Sequence, residues 1–252
     1  MRGNVVAGFA ILCVLTGCGS AVQEQNQDMQ KKADAFYKIG AAEYQAGNLT
    51  EATKYLEKAK KINPNDAKIY HAFGLVYVSL RKYSEAIASC QKALRVDPTF
   101  VDAHNALGTI YGHLGEWDKA IAEFRQALNS PMYKTPELAH YNLGLALVEK
   151  GDHVSAVKEF HTAIEMYPNF PRALDQYGIA LYKLNRNQEA VKRFNQAINL
   201  DPDFIDPYLN LGLVYMKQGK RDDAIQQFKA VLERSNDEKM RSEAERYLEM
   251  LE

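Results

Sequence analysis

The chain has 252 residues, a formal net charge of -1 and 25% charged residues. Its apolar fraction of 46% is ordinary for a soluble globular protein and ample for a core. A near-neutral balance argues against nucleic acid as a partner, and three cysteines support neither a disulfide framework nor a zinc site.

Residues 1–17 read as a secretory signal: Arg2 is the positive end, and Val5 to Leu15 is an apolar run too short for a good membrane span. Leu15-Thr16-Gly17-Cys18 follows. It resembles a bacterial lipobox, Leu-x-Gly-Cys. The resemblance implies cleavage before Cys18, a diacylglyceryl thioether on its sulfur and a further acyl chain, such as palmitate, on the new amine. Two or three acyl chains hold a protein on a membrane effectively permanently. The residue after Cys18 is Gly19, not Asp, which by the enteric sorting rule implies the periplasmic face of the outer membrane of a Gram-negative cell. Residues 18–32 are the acylated cysteine and a polar, Gln-rich stretch read as a flexible tether.

From residue 33 the chain repeats. Gly40, Gly74, Gly108, Gly144, Gly178 and Gly212 are separated by 34, 34, 36, 34 and 34 residues. Around each glycine stands a phrase such as Tyr208-Leu209-Asn210-Leu211-Gly212-Leu213-Val214-Tyr215, followed by Ala224 and Phe228. This period and phrase resemble the tetratricopeptide repeat. The resemblance implies an all-α solenoid of six helix-turn-helix repeats, at 33–66, 67–100, 101–136, 137–170, 171–204 and 205–238. The glycine and the first alanine of each repeat are expected where its two helices cross. Gly47, Gly115, Gly151 and Gly219 fall in the intervening turns. Pro64, Pro98, Pro168 and Pro202 end second helices. The junction Ser130-Pro131-Met132-Tyr133-Lys134-Thr135-Pro136 carries two extra residues and predicts a wider loop; a neutral surface insertion is the alternative. Ser235 and Glu238 have capping-box spacing. Residues 239–252 then form an amphipathic capping helix, which a solenoid needs for solubility.

No catalytic constellation stands out, and no cofactor beyond the lipid is expected. There is no His-Glu-x-x-His, no phosphate loop and no Gly-x-Ser-x-Gly elbow. His104 and His140 occupy bulky structural positions, and neither a metal nor a small-molecule substrate is expected.

In the tetratricopeptide pattern, positions 2, 5, 9, 12 and 13 of each repeat face the inner surface. Taken at positions 5, 9 and 12, a partner-binding groove would be lined by Tyr37 and Tyr44, then His71, Leu75 and Val78. It continues through Tyr141, Leu145 and Val148, then Ile179 and Tyr182, then Leu209, Leu213 and Met216. Asn105, Thr109 and Gly112 make the third repeat small and polar, and Asp175 stands at position 5 of the fifth. An exposed apolar strip of this kind marks a protein-binding surface for an amphipathic helix or extended segment. The alternative is that neighbouring repeats or the N-terminal segment cover it. The Lys and Asn of a chaperone-tail clamp are replaced by Tyr37 and Ala41, which disfavours that specificity.

Six repeats with a cap on a lipobox anchor, and Ser130-Pro131-Met132-Tyr133 before His140-Tyr141-Asn142-Leu143-Gly144, resemble the type IV pilus pilotins (the PilF/PilW-like group). The resemblance implies a non-enzymatic lipoprotein that assists outer-membrane localisation and assembly of the pilus secretin, with secretin subunits as partners. A general periplasmic scaffold that gathers peptidoglycan enzymes or proteases stays open as the alternative.

Overall fold

The computed structural model describes residues 10–131 and 133–251. Thirteen α-helices and no strand occur among them. The first repeat uses the end of α1 (Ala10–Gln45) with α2 (Leu49–Ile62). The second is α3 (Ala67–Ser79) and α4 (Tyr83–Val96), and the third α5 (Val101–His113) and α6 (Trp117–Leu128). Then come α7 (Pro136–Glu149) with α8 (His153–Met166), and α9 (Pro171–Lys183) with α10 (Asn187–Leu200). The last repeat is α11 (Asp206–Lys217) with α12 (Arg221–Arg234), and α13 (Glu238–Glu249) follows. These are the helix pairs of a tetratricopeptide solenoid. The chain divides between Ile110 and Tyr111 into two compact units.

The packing reason for the recurrent glycine is visible in both units. A Cβ on Gly144, Gly178 or Gly212 would sit 2.6, 2.5 and 2.5 Å from ring atoms of Phe160, Phe194 and Phe228, respectively. Each of these rings lies sixteen residues downstream on the second helix and is buried. In the first unit Cys90 fills that place, 2.5 Å from a Cβ on Gly74, and Leu56 fills it opposite Gly40 at 3.0 Å. The nearest neighbour is the aromatic or its substitute, and the first alanine stands beside it: a Cβ on Gly40 would lie 3.3 Å from Ala52 O and one on Gly74 3.6 Å from Ala86 O. Ala52, Ala86, Ala120, Ala156, Ala190 and Ala224 are all buried.

The turns inside the repeats need a left-handed residue. Gly47, Gly115, Gly151 and Gly219 have positive φ, as the sequence suggests. In the second and fifth repeats Arg81 (φ 57°) and Asn185 (φ 61°) take the same place without a glycine. Between repeats, the prolines stand two residues past the ends of α2, α4, α8 and α10. Tyr70 and Tyr208 donate their hydroxyls to the carbonyls of Pro64 and Pro202, at 2.8 and 3.2 Å, tying each repeat to the one before.

Within the first unit Leu56, Ile69, Phe73 and Val76 form a core with Ala52 and Ala59. In the second unit one core runs from Ala120 to Val214 through Phe124, Leu143, Phe160, Leu181 and Phe194. Another joins Phe228 and Val231 to Ala244 of α13, where the Phe228 and Tyr247 rings stack at 5.1 Å. Full burial of a side chain of this size contributes about 1.5–3 kcal/mol.

Three expectations need correction or extension. The polar stretch after Cys18 is not coil: α1 runs unbroken through it to Gln45. Its Gln, Glu, Lys and Met residues are good helix formers, and the folded repeat below supplies a nucleus from which a helix propagates. Gln30 accepts a hydrogen bond from Asn63 at the end of α2, at 2.9 Å. The cap of α13 is Asp237, whose carboxylate accepts from the Met240 amide at 3.0 Å, not Ser235 paired with Glu238. Ser235 is buried and accepts from the Asp237 amide, which seats the cap. The widened junction is present: α6 stops at Leu128, α7 starts at Pro136, and Tyr133 between them is buried. Met132 lies outside the described residues, as do residues 1–9 of the signal segment and the side chain of Cys18. No described helix is long and apolar enough to cross a membrane.

Candidate protein-binding groove

The first helix of a repeat packs one face on its partner and turns another inward. Positions 5, 9 and 12 lie on one stripe because they are four and three residues apart. All thirteen residues expected to line the groove are half-buried, and none is sealed. This differs from an openly exposed strip. Ten of them have one flank on a core cluster and leave the other accessible.

In the first unit Tyr37 and Tyr44 pack against the core of Leu56 and Phe73. The His71 ring meets Phe100 edge-on at 5.4 Å. Burial, followed by the carboxylates of Asp66, Asp102 and Asp34, pushes the Tyr37 phenol above its ordinary value. Burial pulls the His71 imidazole below its ordinary value, partly offset by Asp102. His71 is thus held in its neutral form near neutrality.

In the second unit Tyr141, Leu145, Val148, Ile179 and Tyr182 pack on the main core. Leu209, Leu213 and Met216 pack on the core closed by α13. Tyr141 is wedged against Phe170, with ring centroids 4.9 Å apart. Lys217 holds its ammonium 4.6 Å from the Tyr182 ring centre while donating to Asn185 Oδ1 at 2.6 Å. This is an apolar stripe of three repeats with an aromatic at one end and a fixed cation along one edge.

Two inner-face residues fall outside the stripe chosen from the sequence. Leu138, at position 2 of the fourth repeat, is 43% exposed and is the most open apolar residue on an inner helix of this unit. Position 2 was available from the repeat pattern but lies outside the three positions used to choose the stripe. Asp175 is only 1% exposed. Its Oδ1 accepts from Asn210 Nδ2 at 2.8 Å, linking α9 to α11. Burial pushes its carboxyl up to about 7; the Asn210 hydrogen bond opposes this and Asp206 adds to it. Position 5 placed Asp175 on the inner face, but nothing in the sequence marks it as buried.

Of the two histidines at bulky positions, His140 puts Nδ1 2.7 Å from Glu159 Oε2 across its helix pair. Among the described residues no group of His, Cys, Asp and Glu is arranged to hold a metal ion.

Family-level comparison matches the description "TPR repeat" over residues 74–115 and 178–219. "Tetratricopeptide repeat" matches over 33–66, and again over 101–130, 138–170 and 205–238. Together the matches span well over half of the chain. No curated protein matches the sequence. Among solved structures, PilF of Pseudomonas aeruginosa is 19% identical, with a TM-score of 0.78, over 87% of this chain and 99% of that one. PilW, described as a widely conserved type IV pilus biogenesis factor, is 19% identical, with a TM-score of 0.77, over 83% and 97% of the two chains. YrrB, described as a TPR protein with an unusual peptide-binding site, is 25% identical, with a TM-score of 0.62, over 76% and 97%. At these identities the likeness to PilF and PilW is one of fold.

Proposed function

We propose, because the chain belongs to the tetratricopeptide repeat family, that it is a non-enzymatic, lipid-anchored pilotin. It binds subunits of the type IV pilus secretin and assists their assembly in the outer membrane. The observation that carries protein binding is the row of half-buried apolar side chains on α7, α9 and α11. A surface of that kind gains by burying its open flank against an apolar segment, and it has no chemistry to offer a small substrate. The likeness of fold to PilF and PilW over nearly their whole length supports the pilus assignment. Leu15-Thr16-Gly17-Cys18 supports the anchor.

Two substitutions test the parts separately. Cys18→Ala removes the acyl acceptor; the protein should leave the outer-membrane fraction, and secretin multimers should be lost or scattered. Leu145→Asp puts a charge on the accessible flank of the stripe; the protein should stay at the membrane and secretin multimers should fall. Multimers unchanged in both strains sink the proposal. The likeness to YrrB, a peptide-binding protein, favours a second reading: an adaptor in the envelope that gathers peptidoglycan enzymes or proteases. It predicts that Leu145→Asp releases such an enzyme and leaves secretin untouched.

A further inference from the structure

The inner face of the first unit is chemically unlike the apolar stripe of the second. Tyr37, His71 and Asn105 are the fifth residues of three successive repeats and form one polar row, each half-buried. Two members of the row have hydrogen-bonding capacity to spare. Asn105 Oδ1 is fully buried and has no hydrogen-bond partner among the described residues. The His71 ring touches Phe100 and makes no hydrogen bond among the described residues. A buried acceptor left unpaired is destabilising, so turning the amide outward to meet a ligand's donor would relieve it.

The charged groups that act on Tyr37 are carboxylates. Asp66, Asp102 and Asp34 each act on the Tyr37 phenol, and no cation does so. Asp34 is paired with Lys38 at 2.7 Å. Asp66 caps α3 through the Lys68 amide at 3.0 Å and keeps its net charge. Asp102, in the first turn of α5, makes no ion pair among the described residues. Asp66 and Asp102 thus act on Tyr37, and Asp102 also on His71, with no ion pair for either carboxylate among the described residues.

We propose that this row seats an arginine side chain of the partner polypeptide. The guanidinium is planar and can lie on the Tyr37 and His71 rings. Its donors can serve the exposed Asp102 carboxylate and, once the amide turns outward, Asn105 Oδ1. A lysine offers a point charge without the flat face, and an acidic segment is repelled. The proposal rests on the protein-binding reading above and adds the chemistry of one partner residue.

The probe is a pair of short peptides, acetyl-Leu-Arg-Leu-amide and its citrulline analogue, which keeps the shape and removes the charge. Each is titrated into the full acylated chain in detergent while the His71 imidazole signal is followed by NMR, assigned through His71→Gln. The arginine peptide should shift the signal saturably, and the citrulline peptide should need about tenfold more to do so, the scale of one charge-assisted contact. Asp102→Asn should weaken the arginine peptide by a similar factor and leave the citrulline peptide unchanged. Asp102 is exposed, so that variant keeps its fold. No response to the arginine peptide, equal responses to both, or indifference to Asp102→Asn each overturns the proposal. Such a failure with secretin still lost in Leu145→Asp cells leaves the pilotin reading intact; arginine binding with secretin unaffected in those cells does the reverse.

Discussion

The contact between Gly178 and Phe194 shows how much one side chain decides. A Cβ at Gly178 meets three ring atoms of Phe194 at 2.5–2.8 Å, and the ring is buried on all sides. Gly178→Ala should therefore cost about 1–3 kcal/mol in denaturant unfolding, despite alanine's higher helix propensity. Adding Phe194→Leu should return part of the loss if the ring is the cause. Asp175 makes a prediction of a different kind. Its carboxyl is raised to about 7 in the folded chain, against about 3.9 in the unfolded one. Between those values the folded state holds a proton that the unfolded state has released. Its contribution to stability is thus fully present below about pH 4 and is lost as pH rises through about 7. Asp175→Asn imitates the neutral form: relative to the parent it should gain stability between pH 5 and pH 8, measured by urea unfolding at both. A parallel pH dependence in the two proteins contradicts the assignment. The recurrence of glycine was legible in the sequence because it repeats, but the ring that requires it was not. Arg81 and Asn185 were invisible as turn residues, since only glycine announces a left-handed turn. Asp175 could be placed by register, whereas its burial depends on the next repeat and on Asn210.

At the scale of elements, the helix pairs were legible almost to their ends because period, glycine, alanine and proline all point the same way. Where one signal stood alone the reading slipped. Composition alone made residues 19–32 look like coil, but the helix continues through them because it is already nucleated in the repeat. Spacing alone made Ser235 look like the cap of α13, and the structure gives that work to Asp237. The difference is measurable. Asp237→Ala should cost about 1 kcal/mol, the usual value of an N-cap, and Glu238→Ala little. The reverse order would restore the capping-box reading. The cap matters because Phe228 and Val231 end the solenoid, and Ala244 and Tyr247 cover them. The positions of the candidate groove were read from the repeat pattern, which assigns the residues that turn inward. Its half-buried character was not, because that depends on how closely successive inner helices pack. Nor was the polar row of the first unit, because Tyr37, His71 and Asn105 lie in three different repeats.

At the scale of the molecule, the proposed function pairs the lipobox at Leu15-Thr16-Gly17-Cys18 with the inner-face side chains of the repeats. The second unit offers a half-buried apolar stripe on the inner helices. The first unit offers a polar row under negative charge. Under the proposed function, the first row is matched by a basic residue and the second stripe by an apolar segment, each considered within its own unit. Leu145→Asp and Asp102→Asn lie in different units and should fail in different ways, the first losing apolar contact and the second charge recognition. The most direct measurement is to crosslink the acylated protein in its native outer membrane, purify it and identify the attached polypeptides by mass spectrometry. Secretin subunits, with crosslinks at the inner positions of α7, α9 and α11, are the predicted result. Peptidoglycan hydrolases or proteases without secretin would contradict the pilotin account and establish the chain as an adaptor of the envelope.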